Sequence, residues 1–168
     1  MTTTARDPNA RVGGKYLTFF LGTEEYGLPI LVVREIIGIL SITAIPGTDN
    51  WLRGVINLRG KIIPVCDLRA KFGMPLVATT ERSCIVVVQT HDAEMGIVVD
   101  QVSEVVDLEE RSVDAAPNLG QIRTDYLLGI GTAGGKVRLL LDINRTLSST
   151  DLSRAKTAFA AQSGEDSK

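Results

Sequence analysis

Short apolar runs alternate along this chain with polar turns that carry glycine, a pattern typical of β-strands. Tyr16–Leu21 and Tyr26–Val33 are rich in aromatic and branched residues and flank Gly22–Glu25, which predicts a hairpin. Pro29 cannot donate to a strand ladder, so we expect it at an edge or a bulge. Arg34–Gly38 fits either one helical turn or a continuation of the strand.

A second pair of apolar runs lies within Trp51–Leu68. Val55–Ile56 and Ile62–Cys66 enclose Asn57–Gly60, which predicts two buried strands joined by a tight turn. That turn carries an amide, a guanidinium and a glycine. Because such polar groups are poorly suited to a core, they need something to face.

These two patterns recur later in the chain. Lys15–Ile37 aligns without a gap with Cys84–Val106, and Trp51–Val55 aligns with Tyr126–Ile130. The remaining matches are Gly60-Lys61-Ile62 with Gly135-Lys136-Val137, and Asp67-Leu68 with Asp142-Ile143. The chain is therefore interpreted as two copies of a β-rich unit, each about 65–70 residues long. Because units of this size are marginal alone, we expect them to bury their apolar faces together around a pseudo-two-fold axis, as small barrels or sandwiches.

The two copies differ at one turn. The first copy carries Asn57-Leu58-Arg59-Gly60, whereas the second carries Thr132-Ala133-Gly134-Gly135, without the polar side chains of the first. A turn needed only for folding is expected to stay similar in both copies. This difference indicates that the first turn has a function of its own.

The connecting and terminal segments are polar. Residues 1–14 predict a disordered lead-in, and Pro75–Arg82 predicts an exposed link between the copies. Leu108–Thr124 is interpreted as a strand end followed by a surface loop. Residues 148–168 predict a short helix that begins at a Ser, Thr or Asp cap and ends in a frayed tail. Leu152, Ala155 and Phe159 fall on one face of that helix.

Composition excludes several classes of protein. The 168 residues are 44% hydrophobic and carry a net charge of −2, with only 5% aromatic residues. Nucleic-acid binding is disfavoured because the chain lacks both a basic surplus and a stacking platform. No apolar run approaches the roughly 20 residues that span a bilayer, and the N-terminus has no signal-peptide core, so the expected compartment is the cytoplasm.

The sequence offers no group of residues suited to catalysis. Cys66 and Cys84 lie inside apolar runs and are interpreted as buried, reduced thiols, and His91 lies in a turn and is interpreted as solvent-exposed. The pairs Glu24-Glu25 and Glu109-Glu110 also fall in turns. No phosphate-binding loop, nucleophile motif or Cys/His cluster occurs, so no catalytic, cofactor or metal residue is assigned. We therefore predict a binding or scaffolding protein and not an enzyme.

With these elements in place, the sequence resembles the CheW family of bacterial chemotaxis coupling proteins, from about Lys15 to Leu147. The segments that carry the resemblance are Glu25-Tyr26-Gly27-Leu28, Val33-Arg34-Glu35-Ile36, Ile45-Pro46, Arg53–Gly60, Ile63–Leu68 and Gly96–Asp100. The resemblance implies a mainly β fold: two SH3-like five-stranded β-barrel subdomains related by pseudo-two-fold symmetry, with short connecting helices and a C-terminal helix. It also implies a CheW-like domain at 15–147, in which repeat units at about 15–74 and 84–147 form two interleaved barrels.

The resemblance further implies a non-catalytic adaptor in two-component signal transduction. Such adaptors couple the cytoplasmic tip of methyl-accepting chemoreceptors to the regulatory domain of the histidine kinase CheA, in membrane-associated receptor arrays. By position, the receptor groove is expected to be lined by Val33, Glu35, Gly54, Asn57, Arg59 and Gly60. We expect a monomer in dilute solution, no direct membrane insertion, and an Arg59 that contacts the receptor or forms an internal ion pair with Glu35 or Asp67.

Two alternatives stay open at this point. An adaptor of the same fold in a gliding or twitching motility pathway would have the same sequence pattern. A β-barrel that binds a small ligand or an oligonucleotide belongs to a different class, although the acidic balance disfavours the oligonucleotide.

Overall fold

The computed structural model describes residues 12–91, 93–116 and 126–147. Across these residues the chain forms eleven strands, two four-residue helices and two 3₁₀ turns. The strands are β1 (Gly14–Leu21), β2 (Glu24–Pro29), β3 (Val33–Gly38), β4 (Leu52–Leu58), β5 (Lys61–Asp67), β6 (Cys84–Gln89), β7 (Glu94–Val99), β8 (Gln101–Leu108), β9 (Val113–Asp114), β10 (Leu127–Ala133) and β11 (Lys136–Leu141). The helices are α1 (Leu68–Lys71) and α2 (Ile143–Thr146).

The strands form two sheets that exchange elements between the two halves of the chain. One sheet, the first barrel, has the order β8-β1-β2-β11-β10-β9, and the other, the second barrel, has the order β3-β6-β7-β5-β4. The hairpin β1–β2 thus sits among strands of the second half, and the hairpin β6–β7 sits among strands of the first. Each exchange uses one parallel pairing, β2 with β11 and β7 with β5. Neither barrel can be built from one half of the chain.

The expected mainly β, two-barrel fold is confirmed, with local differences. Strand β2 ends at Pro29 and a 3₁₀ turn at Ile30–Val32 follows, where the sequence predicted one continuous strand to Val33. The absent amide of Pro29 explains why the ladder stops there. Val33–Gly38 is a strand, which decides between the two interpretations of Arg34–Gly38. The first barrel also has a sixth strand, the two-residue β9.

The apolar residues form three clusters, and the largest is shared by the barrels. It includes Phe19 and Leu28 of the first barrel together with Val86 and Ile97 of the second, all fully buried. Smaller clusters fill each barrel, around Tyr16 in the first barrel and around Ile56, Ile63 and Val65 in the second. Burial of this shared apolar surface holds the two barrels together.

The helices are short and begin at aspartate caps. Asp67 Oδ1 accepts from the amides of Arg69 and Ala70 at the start of α1. Asp142 accepts in the same way from Asn144 and Arg145 at the start of α2. Such caps satisfy amides that the helix itself leaves without a partner. The two aspartates are counterparts in the repeat alignment, so the same device ends both copies.

Several expectations fall outside the described residues. These are the disordered lead-in up to residue 11, part of the loop at 117–125, and the C-terminal helix and tail at 148–168. Of the remaining lead-in, Val12 is buried and its carbonyl accepts a hydrogen bond from the Tyr16 hydroxyl at 2.6 Å. Polar composition alone did not indicate that this valine packs into the first barrel.

Candidate partner-binding face

The turn between β4 and β5 holds Arg59 in a conformation that side chains other than glycine rarely adopt. Arg59 has φ 54° and Gly60 has φ 85°, the signs of a type I′ hairpin turn. Gly60 donates its amide to Oδ1 of Asn57 at 2.8 Å. The turn is therefore fixed by local hydrogen bonding while its guanidinium projects outward. Below, the Arg59 turn means Asn57–Gly60.

The counterpart turn between β10 and β11 has the same backbone and different residues. Gly134 and Gly135 have φ 61° and φ 75°, close to the values for Arg59 and Gly60. Glycine adopts this region without steric penalty, whereas a side chain adds cost. The fold therefore accepts glycine at the position of Arg59, and the arginine is not needed to form the turn.

Arg59 forms an ion pair with Glu35 on β3. Its Nη1 donates to Oε2 at 3.1 Å, and its Nη2 donates to Oε1, so the contact is bidentate. Because of these hydrogen bonds, the pKa of Glu35 is lowered and the pKa of Arg59 is raised. The pair joins β3 to the β4–β5 turn, and β3 and β4 are the two edge strands of the five-stranded sheet. A backbone bridge between Thr43 and Val55 also ties the segment after β3 to β4.

Of the two internal partners that the sequence allowed for Arg59, the structure selects Glu35. Asp67 instead accepts from Arg53 Nη1 at 3.0 Å and is nearly fully buried. Arg59 keeps 69% of its side-chain surface exposed, and Glu35 keeps 31%. The guanidinium is thus oriented by Glu35 and still accessible to another molecule.

The other predicted site residues lie in different environments. Asn57 and Gly60 are exposed within the turn, and nothing crowds the space that a Cβ on Gly60 would occupy. Val33 is partly buried and packs against the shared core. Gly54 is buried, and a Cβ there would lie 2.0 Å from the carbonyl oxygen of Thr43. The close backbone approach expected at Gly54 is therefore made by the chain itself.

Sequence reasoning assigned no role to a second charged pair beside the turn. Lys61 Nζ forms an ion pair with Glu94 Oε1, and Glu94 also contributes to the raised pKa of Arg59. These two residues border a cavity of 370 Å³ that is also lined by Ile62, Pro64 and Ala93. Ile62 is 42% exposed. The signal for this surface was a branched apolar residue at an outward strand position, next to the turn.

The geometry of this face suits recognition and not reaction chemistry. A planar fork of oriented donors matches a carboxylate or the carbonyls at a helix end, and an adjacent apolar cavity can receive a side chain. In the described part of the chain, no three potential metal ligands cluster. His91 is exposed in its turn, as predicted, and its amide donates to Asn144 Oδ1.

The cysteines differ from one another. Cys66 is buried, as predicted, whereas Cys84 is only partly buried, and the two form no disulfide with each other. Among the helices of the described residues, none has the length and apolar character to cross a membrane.

Comparisons with known proteins agree with one another. The family model of the CheW-like domain matches residues 15–151. The chain is 39% identical to chemotaxis protein CheW of Klebsiella aerogenes over 153 residues, which covers 90% of this chain and 92% of that protein. It is 29% identical to chemotaxis protein CheW of Helicobacter pylori, with 79% and 81% covered. The crystal structure of the scaffolding protein TtCheW from Thermoanaerobacter tengcongensis superposes with a TM-score of 0.76 at 34% identity, covering 83% of this chain and 96% of that one.

Proposed function

The chain belongs to the CheW family, whose members are non-catalytic chemotaxis adaptors between chemoreceptors and the kinase CheA, and we propose that its Arg59 turn contacts the receptor. The partner on this face is the helical tip of a methyl-accepting chemoreceptor. The site is the set Val33, Glu35, Gly54, Asn57, Arg59 and Gly60, with Gly54 contributing through the backbone it allows to pack.

One observation carries this proposal. An arginine occupies a left-handed backbone position where the counterpart turn has glycine, so the side chain is retained against a local conformational cost. Residues in strained conformations concentrate at functional sites. Because the second copy forms the same turn with glycine, the guanidinium is not required to form the turn.

The pair with Glu35 prepares Arg59 for binding. A free arginine side chain loses much rotamer freedom when it is immobilised at an interface. Glu35 already holds both terminal nitrogens of the fork, so less freedom remains to be lost on binding. Gly60 beside it presents open space, which allows a partner backbone to come close.

The second partner is the regulatory domain of a CheA-type histidine kinase. Because that domain resembles CheW, it would pair barrel against barrel, away from the receptor groove. The chain then acts on the cytoplasmic side, at membrane-associated arrays where receptor tips and kinase meet. Barrel-end contacts of this kind are weak singly, so the isolated chain is a monomer.

A motility pathway other than flagellar chemotaxis is the alternative setting. The chain is 31% identical to protein PilI of Pseudomonas aeruginosa, but only over 50% of its length. The relatives that cover most of the chain are chemotaxis proteins, which favours chemotaxis.

The experiment is ternary assembly with a CheA-type kinase and a receptor cytoplasmic fragment, scored by kinase activation. We compare Arg59→Ala, Glu35→Arg, and the exchange of both charges, Glu35→Arg with Arg59→Glu. The matched control is Arg111→Ala, since Arg111 is another exposed arginine paired with a neighbouring glutamate, Glu109.

Three results are distinguishable. If Arg59 touches the receptor, both single variants and the exchange lose activation while Arg111→Ala does not. If Arg59 only shapes the groove, the exchange restores activation. Unchanged receptor binding, activation and thermal stability in Arg59→Ala would remove the turn from the site.

A further inference from the structure

Asp100 lies where the chain passes from the second barrel to the first, between β7 and β8. Its Oδ2 accepts a hydrogen bond from the amide of Gly22 at 2.7 Å, and its Oδ1 accepts one from Arg69 Nε at 2.9 Å. Gly22 is in the β1–β2 turn of the first barrel, whereas Arg69 is in α1, directly after β5 of the second. One carboxylate therefore binds both barrels at once. We call Gly22, Arg69 and Asp100 the interbarrel clamp.

The clamp is anchored on every side. The amide of Asp100 donates to the carbonyl of Phe20 at 3.1 Å. Arg69 also donates from Nη1 to the carbonyl of Pro75, at the start of the link between the repeats, and only 12% of its side chain is exposed. Arg69 Nη2 also donates to Asp100 Oδ2 at 2.5 Å, and such charge-assisted, bidentate bonds are directional and stronger than neutral ones. The clamp thus holds a defined geometry and not only a short distance.

The opposite side of the molecule carries a weaker version of the same contact. In the repeat alignment Asn144 is the counterpart of Arg69, and His91 is the counterpart of Gly22. The His91 amide donates directly to Asn144 Oδ1 at 2.8 Å, a single neutral bond at an exposed position. The counterpart of Asp100 is Leu31, which is 90% exposed. The pseudo-two-fold is therefore broken: the contact is ionic on one side and neutral on the other.

Apolar burial drives the barrels together, and directional polar contacts between them can select among closely related relative angles. The shared core opposes separation of the barrels, but burial of apolar surface has no preferred direction. Hydrogen bonds, in contrast, depend on the angle between donor and acceptor. The stronger of the two contacts then acts as the pivot.

We propose that the Arg69–Asp100–Gly22 clamp sets the angle between the barrels, with movement taken up on the Asn144–His91 side. Arg69 and Asp100 are positioning residues: they set how the first barrel sits beside the partner-binding face of the second without touching the partner. The effect on receptor binding rests on the proposed function above, whereas the effect on the angle does not.

The test is the measurement of residual dipolar couplings of backbone amides in the full-length 18.1 kDa chain. The variants are Asp100→Asn, which keeps the shape but removes the charge, and Arg69→Lys, which keeps the charge but removes the fork. The control is Asp107→Asn, since Asp107 pairs with Lys15 inside the first barrel at an exposed position. Melting temperatures are recorded for all of them, and Arg69→Lys replaces Asp100→Asn if the latter does not fold.

In the wild type and in Asp107→Asn, one alignment tensor fits both barrels. In Asp100→Asn each barrel still fits by itself, but the two tensors differ by more than the fitting error. A single common tensor with the wild-type orientation in both Asp100→Asn and Arg69→Lys overturns the proposal.

Receptor-fragment affinity is measured on the same samples. It falls at least about fivefold in Asp100→Asn, the lower end of common coupling between sites. If the dipolar couplings change but the receptor-fragment affinity does not, the clamp sets the angle between the barrels without affecting receptor binding. If Arg59→Ala binds normally while Asp100→Asn shows changed couplings, the receptor face has failed and the clamp has not.

Discussion

Arg59 and Gly134 occupy equivalent places in two turns of the same backbone geometry, with φ 54° and φ 61°. One barrel therefore carries an oriented guanidinium where the other has only backbone. Folding and binding can be separated experimentally at this position, because the molecule already contains the glycine version of the turn.

Replacement of Arg59 by glycine should affect binding much more than stability. Relief of the left-handed strain offsets the greater freedom of glycine in the unfolded chain, so the melting temperature should stay within about 3 °C of the wild type. Receptor-fragment affinity should fall roughly five- to 150-fold, the range of an interfacial anchor. Calorimetry and titration of the fragment check the two quantities, with Arg111→Ala as the control. A large drop in melting temperature would show that the guanidinium is a folding determinant.

Gly54→Ala, in contrast, should mainly reduce the stability of the fold. A Cβ at Gly54 would lie 2.0 Å from the carbonyl oxygen of Thr43, and φ 142° disfavours any side chain. Strain and overpacking together should reduce the free energy of unfolding by about 2–5 kcal/mol. Urea denaturation measures this change. Gly38→Ala is the matched control, because space is open there, and it should stay within about 0.5 kcal/mol of the wild type.

The interbarrel clamp should make stability sensitive to acid. The pKa of Asp100 is lowered from its ordinary 3.8, first by the hydrogen bonds from Arg69 and then by the Gly22 amide. The folded state thus binds this proton less tightly than the unfolded chain does. The stabilisation is complete above the ordinary pKa and is lost as pH falls through the lowered one.

Urea unfolding at several values between about pH 5 and pH 2.5 tests this effect. The difference in unfolding free energy between the wild type and Asp100→Asn should shrink toward the acid end. The lowered pKa of Glu35 is present in both proteins and cancels in that difference. A difference that does not depend on pH would contradict the linkage.

Removing one partner of the buried Arg138–Glu25 pair should strongly reduce the free energy of unfolding, whereas replacing both residues by apolar ones should reduce it much less. Their side chains are 4% and 7% exposed, and Nε donates to Oε2 at 3.0 Å. Arg138→Ile alone leaves a buried carboxylate without its partner and should cost about 3–5 kcal/mol. Adding Glu25→Leu should restore most of that loss, because an apolar pair carries no charge to desolvate. If the double variant is no more stable than the single one, the pair is needed for packing and not for charge.

The sequence predicted the elements well because their signals are local. Apolar runs and glycine turns placed the hairpins, and the repeat alignment indicated that the polar groups of the Arg59 turn are absent from its counterpart. The choice of Glu35 over Asp67 as the partner of Arg59 was not accessible, since it depends on which sheet edges meet. The clamp was missed for the same reason: Gly22, Arg69 and Asp100 are distant in the chain.

For Arg138 and Gly54, the repeat alignment did carry information about their environment. Arg138 is the repeat counterpart of Ile63, which is buried, although strand alternation with its apolar neighbours Val137 and Leu139 would by itself predict that it points outward. Gly54 is matched by Gly129 where both ladders shift register, which indicated a backbone requirement at Gly54 more than a binding role.

The exchange of strands between the halves also determines how the chain can be divided. Each hairpin completes its barrel with strands from the other repeat, so an isolated half would expose unsatisfied strand edges. If the chain were cut within the 75–83 link, the two fragments would satisfy those edges only by exchanging strands with each other. The strand exchange resembles that of an intertwined homodimer, but here one chain holds both repeats, so matched positions can carry different residues. The guanidinium in one turn and the two glycines in the other are one such difference.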